Sequence, residues 1–254
     1  CLQGEFVLWD VATGEILRRY GPEQGEFSLQ HIYDALYLPD GHSAIIVSID
    51  RNWQIANIAL WDLEQGTVLR HYDNVPTQIS SVNSSPEGRT LAVGFADSSF
   101  RLYDVASGEQ ITQLYGHTRR INEVHFSANG RLLLTSSNDD TVRLWNTENM
   151  VQIQDFRTEA GGVNTMDISP DGRTLVAGYV APAPILWDIA TGQEIRRLEG
   201  VENSAPLTVE FSPDSRLIAA AMWGAPAALW DVESGELIRR FDVGDNEVYW
   251  ITLS

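Results

Sequence analysis

An all-β fold built from repeated antiparallel units is predicted by three markers that share one register. Leu-Trp-Asp stands at 8–10, 60–62, 186–188 and 229–231, with Leu144-Trp145-Asn146 and Leu102-Tyr103-Asp104 as variants. Its aromatic residues, at 9, 61, 103, 145, 187 and 230, are spaced by 52, 42, 42, 42 and 43. A turn marker keeps the same beat: Pro39-Asp40-Gly41, Ser85-Pro86-Glu87-Gly88, Ser127-Ala128-Asn129-Gly130, Ser169-Pro170-Asp171-Gly172 and Ser212-Pro213-Asp214-Ser215. A third marker, Asp10-Val11-Ala12-Thr13-Gly14-Glu15, returns in varied form from 104, 188 and 231.

The stretch 116–146 shows what one unit contains. Ile121, Val124 and Phe126 alternate, Ala128-Asn129-Gly130 turns, and Leu132, Leu133 and Leu134 form an apolar run. Asn138-Asp139-Asp140 turns again, and Val142 and Leu144 lead to Trp145. Alternation broken by turn residues predicts antiparallel hairpins. A fixed period of this length, holding about four short strands, predicts a propeller blade.

In chain order, 1–20 holds the second half of a unit, and 27–72 is the longest, because an extended turn over 50–57 accounts for the step of 52. Units at 77–115, 121–156, 163–198 and 206–241 follow, and 247–254 begins another. The expectation is a single domain over 1–254 with five complete four-stranded repeats, partial blades at both termini, and a longer parent protein. Nine residues equivalent to 86–94 would join the ends into a ring of six; a seven-bladed ring lacking one further repeat is the alternative. Second strands such as Leu91-Ala92-Val93-Gly94 and Leu175-Val176-Ala177-Gly178 are small enough to crowd around a central axis.

With three motifs in one register over essentially the whole chain, the sequence resembles the WD-repeat (WD40) family. The resemblance implies a β-propeller acting as a rigid platform for other proteins. It also implies a structural hydrogen-bonded set in one blade, which maps by spacing onto His117, Thr135, Asp139 and Trp145. An acid/base reading of His117 and Asp139 is set below this structural one. The Ser-Pro-Asp-Gly-Arg and Asp-Ile-Ala-Thr-Gly-Gln phrasing resembles bacterial members.

The chain has 254 residues, 43% hydrophobic, and no apolar run near the 18 residues that a membrane helix needs. No membrane insertion is expected. The net charge of −18 opposes a nucleic-acid surface, since phosphates would be repelled. One cysteine, Cys1, leaves no internal disulfide and no cysteine-based metal site. The expected location is the cytoplasm, with an exported domain left open.

Metalloprotease, nucleophile-elbow and phosphate-loop motifs are missing from the sequence, and its five histidines occupy unrelated repeat positions. Neither a catalytic residue nor a metal ligand nor a cofactor is expected. A propeller enzyme would need His or carboxylates converging on the axis, where the second strands offer mostly Ala, Gly and Val. Aromatic and basic residues that break the repeat point instead to partner binding: Trp53, Trp223, Tyr179, His31, Arg119 and Arg120. Against this, Trp53 and Trp223 could equally pack their own loops. The function read here is a non-catalytic interaction scaffold whose partners are other proteins or neighbouring domains. The alternative is the sensing domain of a multidomain kinase or NTPase.

Overall fold

The computed structural model describes residues 6–10, 12–20, 31–49, 56–73, 75–76, 78–157, 159, 161–180, 183–201, 204–242, 248 and 251–253. Trp53 and Trp250 lie outside them. Among the described residues 22 strands form six antiparallel sheets. The first sheet pairs β1 (Phe6–Trp9) with β2 (Ile16–Tyr20). The second holds β3 (His31–Tyr37), β4 (Ser43–Ile49), β5 (Ala56–Asp62) and β6 (Thr67–His71). The third holds β7 (Ile79–Ser84), β8 (Thr90–Phe95), β9 (Phe100–Asp104) and β10 (Gln110–Leu114). The fourth holds β11 (Ile121–Phe126), β12 (Leu132–Ser137), β13 (Thr141–Asn146) and β14 (Gln152–Arg157). The fifth holds β15 (Val163–Ile168), β16 (Thr174–Tyr179), β17 (Ile185–Asp188) and β18 (Glu194–Arg197). The sixth holds β19 (Pro206–Phe211), β20 (Leu217–Met222), β21 (Ala225–Asp231) and β22 (Leu237–Phe241). In every four-stranded sheet the strands lie side by side in chain order, the pattern of a propeller blade.

The repeated turn residues explain the hairpins. In the turn between first and second strands Ser85, Ser127, Ser169 and Ser212 close a short loop by accepting the N–H of Gly88, Gly130, Gly172 and Ser215. The fourth residue sits at positive φ each time, +72° at Gly172 and 62° at Ser215, where only glycine is free of strain. The Asp of Leu-Trp-Asp serves the next turn but one. Asp104 Oδ1 accepts the Ser107 N–H at 2.7 Å, and Asp188 and Asp231 do the same for Thr191 and Ser234. Much of the negative charge is therefore spent on holding turns.

Outermost strands carry a second regularity. Pairing skips one residue beside each marker aromatic, leaving Leu17, Leu69, Ile111, Ile153, Ile195 and Ile238 out of register. Each of these side chains is exposed. A bulge twists an edge strand away from further pairing, so the exposed rims are protected by bulges as well as by the Arg18-Arg19, Arg196-Arg197 and Arg239-Arg240 pairs.

Five apolar clusters fill the five contacts between successive sheets. Tyr20 joins Ala44, Ile46, Ala59 and Trp61 between the first two. Ile45, Ile58 and Tyr72 meet Val82, Val93 and Phe95; Phe100 and Leu102 meet Val124 and Trp145. Leu144 and Phe156 meet Met166 and Ile185, and Val176 and Leu186 meet Val209 and Ile218.

The axis corrects one expectation. The first strand of each sheet, not the small-residue second strand, lies innermost: β7 packs on β11, β11 on β15 and β15 on β19. Second strands are buried on both faces between blades, and that is why they are small. A Cβ added at Gly94 would sit 2.8 Å from Ile121 Cγ2, and one at Gly178 2.8 Å from Pro206 Cβ. The axial strands present Asp34, Ser81, Asn83, Glu123, His125, Thr165, Asp167 and Glu210 rather than Ala, Gly and Val.

Candidate functional site

Two groups of sequence-selected residues separate in space, one buried in the fourth sheet and one on a rim. The buried group is a relay across two strands, β12 and β13, the turn between them and the loop that leads into β11. Trp145 Nε1 donates to Thr135 Oγ1 at 3.0 Å, and Thr135 Oγ1 lies 2.8 Å from His117 Nε2. On the other side of the ring His117 Nδ1 stands 3.0 Å from Asp139 Oδ2. Asp139 also accepts the Thr118 N–H at 2.9 Å and the Thr141 hydroxyl at 2.5 Å. Every polar atom balances if Nδ1 of His117 carries the proton and Nε2 accepts from Thr135. Burial would raise the Asp139 carboxyl, but hydrogen bonds from His117, Thr141 and the Thr118 N–H outweigh it and hold it well below the usual range.

Both the His117 and Asp139 side chains are almost wholly inaccessible. A substrate has no approach to this pair, so the arrangement does mechanical work. It ties the loop entering β11 to the β12–β13 turn and anchors the indole. In the fifth sheet Ala177 stands where Thr135 does, and the Trp187 indole N–H has no hydrogen-bond partner among the described residues.

The rim group sits where each first strand begins and each second strand ends. One backbone bond repeats there: the N–H after the second strand donates to the carbonyl before the first. It links Ala96 to Gln78 at 3.1 Å, Asn138 to Arg120 at 3.1 Å, Val180 to Gly162 at 2.9 Å and Trp223 to Ala205 at 2.9 Å. The Ser204 hydroxyl adds a second bond, donating to the Trp223 carbonyl at 2.5 Å. With its backbone fixed twice, Trp223 still exposes 61% of its surface, and Val180 exposes 59%. The backbone is fixed while the indole itself stands in solvent.

Arg119 and Arg120 are both exposed on this rim, and Arg119 donates to the Asn138 carbonyl at 3.3 Å. Asn122 bridges two blades, donating to Asn138 Oδ1 at 2.7 Å and to the Val163 carbonyl at 2.8 Å. Tyr33 does the same between the second and third sheets, its hydroxyl donating to the Ser80 carbonyl at 2.9 Å. Burial raises the Tyr33 phenol and the Arg120 guanidinium opposes the rise, so the two are electrostatic neighbours.

Of the six residues expected at a partner-binding face, Trp223, Arg119 and Arg120 share this rim. His31 begins β3, and Trp53 falls outside the described residues. Tyr179 is a correction: it is fully buried among Phe156, Val163 and Trp187 between the fourth and fifth sheets. As the last residue of β16 it belongs to the strand, and its neighbour Val180 is the one that reaches solvent. Spacing could have found Val180, since 96, 138, 180 and 223 keep the same beat as the markers. Asn122 carries the same kind of signal, since 80, 122, 164 and 207 keep the beat and each is the residue skipped by a bulge in its first strand; Tyr33 is skipped by the equivalent bulge in β3.

Among the described residues no three His, Cys, Asp or Glu side chains group to hold a metal ion, and no helix is long and apolar enough to cross a membrane.

Comparison with known proteins agrees with this architecture. Residues 108–146 match the family described as WD domain, G-beta repeat, and residues 48–126 match the Anaphase-promoting complex subunit 4 WD40 domain. A guanine nucleotide-binding protein subunit beta of Oryza sativa subsp. indica is 32% identical over 120 residues, 43% of this chain and 28% of that protein. The corresponding subunit of Zea mays is 30% identical over 120 residues, again 43% and 28%. Cell division cycle 20.1, cofactor of APC complex, of Arabidopsis thaliana is 34% identical over 105 residues, 39% of this chain and 22% of that protein. The chain thus spans under a third of the length of these relatives. The matches support the WD-repeat family and a protein-interaction propeller. These relatives are plant proteins and lend no support to the bacterial character expected from the turn phrasing.

Proposed function

We propose that this chain is a non-catalytic scaffold of the WD-repeat kind whose rim of rigid turns binds another protein, with Trp223 as its apolar anchor and Arg119 and Arg120 as its basic contacts. The observation that carries the reading is Trp223: 61% exposed, yet fastened by backbone bonds to Ala205 and Ser204. With the backbone already fixed, binding has only the side chain left to order, and Trp is among the residues that most often anchor an interface. Two relatives bear names that place them in assemblies, a subunit of a guanine nucleotide-binding protein and a cofactor of the APC complex. By analogy this chain also works by holding other proteins. Trp53 and His31 belong to the same proposed face by their repeat positions, and Tyr179 does not.

The test compares intact protein with a Trp223→Ala, Arg119→Ala, Arg120→Ala variant as baits in lysate of the source cell, followed by direct affinity measurement on each captured protein after purification. A partner whose affinity falls at least about tenfold with the variant supports the rim. Equal affinity for both baits refutes it.

A further inference from the structure

Charge is unevenly distributed over the rim that carries Trp223. On the fifth and sixth sheets the entrances to the first strands and the turns after the second strands comprise 161–166, 177–180, 204–208 and 220–228. None of these residues is charged, although the chain as a whole is 20% charged. Backbone bonds join the stretches in pairs, Val180 to Gly162 and Trp223 to Ala205, each at 2.9 Å. The result is an uncharged arc from which Val180 and Trp223 stand exposed, with Ala205 and Ala225 part-exposed beside them. An apolar surface of this kind marks an interaction site.

On the fourth sheet the arc ends at two arginines. Arg119 and Arg120 are exposed, and neither forms an ion pair with a carboxylate of the described residues. Arg119 gives an N–H to the Asn138 carbonyl at 3.3 Å and keeps its other donors. Carboxylates in the matching turns are engaged elsewhere: Asp139 in the relay, and Asp97 by the Ser99 N–H at 2.9 Å and the Ser99 hydroxyl at 2.6 Å. In a chain of net charge −18, two guanidiniums without carboxylate partners beside an uncharged apolar surface complement a segment that is acidic at one end and apolar at the other.

Side chains tie the three sheets into one surface. Asn122 crosses from the fourth sheet to the fifth, donating to the Val163 carbonyl at 2.8 Å, and Asn164 crosses from the fifth to the sixth, its Nδ2 3.5 Å from the Pro206 carbonyl oxygen. The arginine loop is fixed as well, since Asp139 accepts the Thr118 N–H and the Ser137 hydroxyl donates to the Arg119 carbonyl at 3.0 Å. Packed sheets stand about 10 Å apart, so the arginines and the indole are separated by about 20 Å less the reach of their side chains. An extended chain rises about 3.3 Å per residue and covers that span in about four to six residues.

We propose that this arc takes an extended segment of a partner protein, with an aromatic or large aliphatic side chain against Val180 and Trp223 and a carboxylate on Arg119 and Arg120, the two about four to six residues apart. The inference rests on the rim being the binding face, and it adds the chemistry and span of what binds there. The net charge of −18 opposes the other apolar occupant, a membrane surface with anionic headgroups.

The test selects random displayed peptides of about 12 residues on the whole chain, with counter-selection on the Trp223→Ala, Arg119→Ala, Arg120→Ala variant. Peptides retained by wild type alone should carry Asp or Glu and an aromatic or Leu residue at that spacing. For one such peptide, Arg119→Glu with Arg120→Glu should weaken binding at least about tenfold, and exchanging the peptide's acidic residues for Lys should restore it on that variant only. Restoration by the reversed peptide is an outcome that unfolding of the variant does not give. Rim-dependent peptides without a carboxylate, or no restoration by charge reversal, overturn the proposal and leave the rim as the binding face. Selection that yields no rim-dependent peptide, with or without Trp223-dependent binding of the chain to phosphatidylcholine vesicles, overturns both.

Discussion

Trp145 Nε1 donates to Thr135 Oγ1 over 3.0 Å, and this one bond connects an interblade aromatic to a buried relay that ends on Asp139. Thr135→Val keeps the shape of the side chain while removing the partner of both the indole and His117 Nε2. Each orphaned buried group costs about 1–3 kcal/mol. Urea denaturation should show a loss of that order. The same exchange at Thr112, outside the relay on an exposed edge strand, should change stability by less than about 0.5 kcal/mol.

Asp139 gives a signature in acid. Its carboxyl is held low by His117, Thr141 and the Thr118 N–H, so its contribution is complete above about pH 4 and is lost as pH falls through the depressed native value. Asp139→Asn lowers the melting temperature at pH 7, and the gap from wild type should narrow steadily on acidification below about pH 4. Thermal melts of both proteins at stepped pH check this.

Gly178→Ala should be worse than Gly94→Ala, although each glycine is the next-to-last residue of a second strand. The new Cβ at Gly178 meets Pro206 Cβ and Thr165 Cγ2, each at 2.8 Å, and the proline ring cannot rotate aside. At Gly94 the nearest atom is the Cγ2 end of Ile121. Overpacking of this kind costs about 1–3 kcal/mol, and chemical denaturation should place Gly178→Ala at the upper end.

Ser215 stands at φ 62° where the matching turns place glycine. A left-handed L-residue carries about 1–2 kcal/mol of strain, partly offset by the greater unfolded entropy of glycine. Ser215→Gly should therefore raise stability by up to about 1 kcal/mol, read from the urea midpoint with an unchanged slope.

Trp223→Ala separates binding from folding. Its side chain is exposed and its two fastening bonds are made by the backbone, so stability should move by less than about 0.5 kcal/mol while partner affinity falls. A melting curve and a binding isotherm on the same preparation distinguish the two effects.

The sequence by itself determined the blades. Turn residues, alternation and the steps between Trp61, Tyr103, Trp145, Trp187 and Trp230 are local or periodic properties, and they are legible because each sheet is one hairpin series. The pairing of His117 with Asp139 was implied by the resemblance to the WD-repeat family rather than by any local pattern, and the 3.0 Å contact agrees with it. What only the tertiary structure decided is which strand faces the axis and which residue at each turn reaches solvent. Alternation shows that Ser81, Glu123 and Thr165 share one side of their strands, but the twist and stacking of the sheets determine that this side lines the channel. The same geometry buries Tyr179 and exposes Val180 one residue later, because a strand ends where its last ladder bond is made; the repeat spacing marks position 180, and the structure decides that its side chain is the one that reaches solvent.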